Sequence, residues 1–176
     1  MARFELQFPP ELVPALASRF PDVDESAVQV AGRAAQQRGH YTPAEFVLVC
    51  AWKTARSRPK VASNTAAAIR KATHTALNEA DEAARMNALV SLEGVGVPTG
   101  STLLHFAYPE AYPILDVRAL QSLGALPRSV YPVGFWLDYL DYCRRLAAEL
   151  GVSLRTLDKA LWQHSRERVG GIKAVS

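Results

Sequence analysis

Between residues 46 and 78 the chain has no aspartate or glutamate, yet six basic residues fall there: Lys53, Arg56, Arg58, Lys60, Arg70 and Lys71. A solvated helix face ordinarily mixes both signs, so this one-sided stretch points to a polyanionic partner. Cysteine is scarce. Cys50 and Cys143 stand 93 positions apart in apolar surroundings, which reads as two reduced core residues and excludes a disulfide-rich scaffold. Long apolar runs are absent, since the longest, residues 46–52, cannot span a bilayer. Arg3 and Glu5 interrupt any N-terminal apolar segment, so a cytoplasmic protein with no membrane partner is expected. His40, His74, His105 and His164 are scattered without metal-ligand spacing, and neither a metal nor a cofactor is expected. His105, on an apolar helix, reads as a core residue. No internal repeat and no convincing strand pattern occurs.

What is present is alanine, leucine and a helical period. In 176 residues about half are apolar and the net charge is only +3. This composition favours an all-α fold in a single domain over residues 1–170, with a flexible tail at 171–176. Residues 1–9 read as extended. Helices are expected over residues 10–19, over 24–37 with Asp24 as cap and Gly39 as stop, and over 44–55. The third starts from a capping box with proline, Thr42-Pro43-Ala44-Glu45, and is expected at the centre of the core. A loop with Arg56, Ser57 and Arg58 follows, stiffened by Pro59. Further helices are expected over 64–77, over 79–92 with Asn78 as cap, over 116–123, over 133–150 and over 153–166. On the last, Asp158, Lys159 and Trp162 suit packing and an intrahelical pair.

One stretch organises the rest. Residues 92–118 read LEGVGVPTGSTLLHFAYPEAYPILDVR: a tight Gly94-Val95-Gly96 turn, an apolar helix, a loop rich in proline and tyrosine, and a single acid, Asp116. Glycines before a helix start allow a backbone to approach a ligand, and free amides there suit a phosphate. Such a turn can grip a backbone phosphate without reading sequence.

This stretch resembles the helix-hairpin-helix DNA glycosylases of the endonuclease III superfamily, in Leu92, Gly94, Val95 and Gly96 and in Asp116, 20 positions after Gly96. The resemblance implies a helix-hairpin-helix at about residues 79–107 and places Asp116 at the catalytic aspartate. Pro98 stands where bifunctional members carry a Schiff-base lysine, which implies a monofunctional enzyme. Two cysteines also exclude the iron–sulfur cluster that many relatives hold. Only 34 positions separate Arg58 from Leu92, so a trimmed domain is expected.

The function this implies is hydrolysis of the N-glycosidic bond of a damaged or mismatched base, as in base-excision repair, on double-stranded DNA. Asp116 would activate water and stabilise the sugar cation. Gly94, Val95, Gly96 and Thr99 would hold a phosphate, with Lys53, Arg56, Ser57, Arg58, Lys60 and Arg118 completing the DNA surface. Trp52, Tyr108 and Tyr112 would form the pocket for the extruded base. Each assignment has a plainer rival: Asp116 as a helix cap, Arg118 in a salt bridge, the aromatics as core, residues 56–58 as a solvated loop. The alternative for the whole is a catalytically silent DNA-binding module. The sequence leaves the oligomeric state open.

Overall fold

The computed structural model describes residues 4–173, with no side-chain description beyond residue 168, and all of its regular structure among those residues is helical. A 3-10 turn, Pro10–Leu12, leads into α1 (Val13–Ser18), so the first helix starts later than its proline-containing beginning suggested. Then come α2 (Ser26–Arg38), α3 (Pro43–Lys53), α4 (Arg58–Ala62), α5 (Ala66–Asn78) and α6 (Glu82–Val90). They are followed by α7 (Val97–Ala107), α8 (Val117–Ser122), α9 (Val133–Leu150) and α10 (Leu154–Lys173). The last helix runs past residue 166. The tail expected to be flexible is helical at 171–173, and its residues 174–176 lie outside the described residues, as do 1–3.

Local signals account for most boundaries. The capping box forms at α3: the Glu45 amide donates to Thr42 Oγ1 at 3.3 Å and the Thr42 amide to Glu45 Oε2 at 2.9 Å. Arg38, in the last turn of α2, forks onto both Glu45 oxygens at 2.8 and 3.0 Å, joining the two helices end to end. Gly39 stops α2 at φ +82° and Gly151 stops α9 at φ +64°. Asp24 accepts the Ser26 amide at 2.9 Å at the start of α2. Asn78 does not cap the next helix: its amide donates to Gly39 O, and Asp81 takes the cap by accepting from Ala84 N at 2.6 Å.

The expected loop at residues 56–58 is helical too. A 3-10 turn, Ala55–Ser57, passes directly into α4, and Arg58 has φ −49° and ψ −46° despite preceding a proline. Pro59 sits in the first turn of α4, where its missing N–H would have had no partner.

The central helix is α7, not α3. Ten of its eleven residues are buried, whereas α3 leaves Leu48 exposed. Helices α2, α3, α5 and α6 surround α7. Crossing this closely needs small residues: a Cβ added at Gly32 of α2 would lie 2.0 Å from the Phe106 carbonyl oxygen. Gly32→Ala would therefore force α2 and α7 apart. Leu103 and Leu104 are fully buried, each contributing roughly 2–3 kcal/mol. Tyr41, also buried, donates its hydroxyl to Leu103 O at 2.7 Å. Both cysteines are free and buried, as expected. Helix α10 lies across α1 and α8 and closes the other side.

Candidate active site

The segment between α7 and α8 has no regular structure, yet residues 112–115 are buried. Buried backbone groups need partners, and side chains from three helices supply them. His105 Nδ1 donates to Tyr112 O at 2.8 Å and Tyr139 donates to Ile114 O at 2.9 Å. The Ile114 amide donates to Asp158 Oδ2 at 3.0 Å, and the Leu115 amide to Ser101 Oγ at 2.9 Å. This clamping fixes the next residue, Asp116. His105 is thus the buried core histidine expected, and burial lowers its pKa to about 4.

Asp116 caps α8 by accepting the Arg118 amide on Oδ1 at 2.8 Å. Its other oxygen, Oδ2, accepts from Lys53 Nζ at 2.8 Å, across from the end of α3. Burial pushes the Asp116 pKa upward, but the Lys53 charge and hydrogen bond and the Arg118 amide outweigh it and hold the carboxyl below the usual range. The acid is a helix cap and an ionised group lining a cavity at once.

That cavity measures about 150 Å³ and is lined by Phe20, Trp52, Lys53, Asp116, Arg155, Asp158 and Trp162, among others. Arg155 is ion-paired with Glu25 and lies over the Phe20 and Trp52 rings, 5.5 and 6.0 Å from their centroids. Arg118 covers Trp162 at 5.2 Å, in a cation–π contact where a salt bridge was the plainer expectation. Asp158 is 4% exposed, and its Oδ1 has no partner. Burial raises its pKa to about 7, against the Ile114 amide, Arg155 and Lys53.

The glycine turn lies between α6 and α7. Gly94 takes φ +77°, and a Cβ there would sit 2.8 Å from Lys60 Cβ. The same turn is pinned from α4's end by Asn64, whose Nδ2 donates to Glu93 O at 3.0 Å and whose Oδ1 accepts the Glu93 amide at 2.9 Å. So the turn lies against α4, which belongs to the acid-free basic segment. Arg56, Arg58 and Lys60 are exposed there, and among the described residues none of them makes an ion pair. No side chain caps the start of α7.

The sequence-predicted residues thus divide. Lys53, Trp52 and Asp116 meet at the cavity. Gly94 and Gly96 belong to the turn and Lys60 lies against it; Arg56 and Arg58 are exposed, Arg58 beside Pro43, Ala44 and Leu48 of α3, and Ser57 is half-buried and donates to Thr54 O at 2.8 Å. Val95 and Thr99 turn their side chains inward, at 7% and 4% exposure, so only their backbone faces the turn. Tyr108 and Tyr112 do not line the cavity: their hydroxyls donate to Leu77 O at 3.0 Å and to Glu82 Oε2 at 2.8 Å. Trp162 and Phe20 stand there instead. Asp158 makes no intrahelical pair but holds Ile114, and Lys159 lies over the Phe20 ring. The signal for Asp158 was in the sequence. It is the one acid in the stripe Leu154, Leu157, Leu161, all of them buried.

No family model, curated protein or solved structure matches the chain. Among the described residues no cluster of His, Cys, Asp and Glu suits a metal, and no helix is long and apolar enough to cross a membrane.

Proposed function

We propose that this protein binds double-stranded DNA and hydrolyses the N-glycosidic bond of an extruded base, as a monofunctional glycosylase of base-excision repair. The observation that carries the reading is the position of Asp116. This ionised carboxylate lies 20 residues beyond Gly96 and lines a cavity walled by Trp52, Phe20 and Trp162. Breaking a glycosidic bond develops positive charge on the sugar and consumes a water proton, and one carboxylate answers both needs. The base reaches the site by leaving the stack, and aromatic walls hold it there. The uncapped start of α7, the Gly94 turn and Arg56, Arg58 and Lys60 then take the backbone phosphates.

A specific observation favours a second reading. Asp116 is fully engaged as helix cap and as Lys53's partner, which suffices to explain it in a silent DNA-binding module. Base release decides between them. Duplexes carrying uracil, alkylated purines, oxidised guanine or mismatches are incubated with the protein and then treated with alkali to reveal abasic sites. The glycosylase leaves at least one of them open to cleavage by the alkali; the silent module leaves none while binding all.

A further inference from the structure

Two carboxylates line the cavity, and their surroundings differ. Asp116 is 29% exposed at its side chain and receives an ammonium and a backbone amide, both of which favour its charge. Asp158, on α10, is 4% exposed, receives one amide on Oδ2, and has no partner on Oδ1. The groups acting on Asp158 come from four elements: Arg155 one turn earlier on α10, Lys53 at the end of α3, Asp116 at the start of α8, and the buried Tyr139 and Cys143 of α9. The two cations favour its charge; burial and the Asp116 charge oppose it and prevail. Where neighbouring acids are driven apart in this way, one serves as base and the other as acid.

We propose that Asp158 is the general acid of this site, giving a proton to a neutral single-ring base as that base leaves C1′, while Asp116 takes the proton of the attacking water. The proposal rests on the glycosylase reading. The cavity, about 150 Å³, has room for a single ring, since an enclosed cavity of roughly that volume holds benzene. In the step, the C1′–N bond breaks with its electron pair passing to the base. The Asp158 proton goes to the ring nitrogen or its adjoining carbonyl oxygen, directly or across one water. Water bonds to C1′ and loses a proton to Asp116. The products are the neutral base and an abasic sugar, and transfer of the Asp116 proton through solvent restores Asp158.

The test compares uracil with 5-fluorouracil in otherwise identical duplexes. The two rings have nearly the same shape, but the fluorinated base departs more readily as an anion and needs less help from an acid. Wild type and Asp158→Asn, which keeps an acceptor for the Ile114 amide, are assayed under single-turnover conditions from pH 5 to 9. The expected result is a loss of about 100-fold or more on uracil in the variant and about tenfold or less on 5-fluorouracil. Should the variant not fold, wild type alone decides: uracil release falls above about pH 7 while 5-fluorouracil release holds. Equal losses on both bases, or parallel pH profiles, overturn the role of Asp158. Release of alkylated purines with none of either pyrimidine overturns it too, and leaves the glycosylase reading standing. No release from any duplex overturns both.

Discussion

Lys53 Nζ lies 2.8 Å from Asp116 Oδ2, joining the end of α3 to the start of α8 across 63 positions of sequence. With the Arg118 amide on Oδ1, this contact keeps the Asp116 carboxylate charged inside a largely apolar enclosure. Both halves of the proposed chemistry depend on it, because a protonated Asp116 neither accepts a proton from water nor stabilises a sugar cation.

Lys53→Met removes that support. Its direct cost is one charge-assisted hydrogen bond in a partly buried pair, roughly 1.5–3 kcal/mol in a denaturant melt. The Asp116 pKa then rises. In wild type the stability from this acid is complete above the ordinary carboxylate range and is lost as pH falls through the lowered folded value; in the variant the loss is smaller and is over at higher pH. The acidic limb of base release moves upward with it. An unmoved limb would show that Lys53 does not govern Asp116.

The Lys53 amine also bears on strand cleavage. Ion-paired with Asp116 at 2.8 Å, it is not free to attack the sugar. The expected outcome is no strand cleavage without alkali and no covalent adduct on borohydride reduction. An adduct that disappears in Lys53→Met would make the enzyme bifunctional, with its amine on α3 in place of the position held by Pro98.

Asn64 and Gly94 hold the turn against α4. Gly94→Ala meets both a left-handed backbone, φ +77°, and Lys60 Cβ at 2.8 Å, and should cost about 1–3 kcal/mol on unfolding. Asn64→Ala breaks two hydrogen bonds to Glu93 and frees the turn. DNA affinity should fall in both, measured by fluorescence anisotropy at fixed salt.

Arg56, Arg58 and Lys60 are exposed and free to meet phosphates. Each alanine substitution should reduce the slope of log affinity against log salt by about 0.9, and the triple variant by about 2.7, with stability unchanged. A slope that stays constant would remove these residues from the DNA surface.

Asp158 makes a stability prediction independent of catalysis. Its folded pKa, about 7, exceeds the ordinary aspartate value of 3.8, so the folded protein holds a proton that the unfolded chain releases between these limits. Wild-type stability relative to Asp158→Asn should therefore fall by roughly 3 kcal/mol as pH rises from 4 to 7. His105, held neutral by burial, gives a slope of opposite sign between pH 4 and 6.5 in both proteins. The difference between the two melts cancels it.

Local chemistry was legible in the sequence and distant pairing was not. The Thr42–Glu45 box, the stops at Gly39 and Gly151 and the Asp116 cap each involve residues close together in the chain, and each has the geometry its residue types require. Asn78 was misread because a cap-forming side chain also serves a carbonyl 39 positions away. Asn64 on Glu93 and Asp158 on Ile114 act across 29 and 44 positions, which no local pattern records. The cavity shows the same limit. Tyr108 and Tyr112 precede Asp116 in sequence, but Trp162 and Phe20, from the far ends of the chain, are the rings beside it.

The most direct measurement is base release by wild type and Asp116→Asn side by side, with DNA affinity determined on the same samples. Asparagine keeps an acceptor for the Arg118 amide and removes the charge. Release by wild type that drops by about 100-fold or more in the variant, with affinity preserved, is the result this account predicts. Equal release by both proteins, or none by either with salt-sensitive binding intact, would contradict it and reduce Asp116 to the cap of α8.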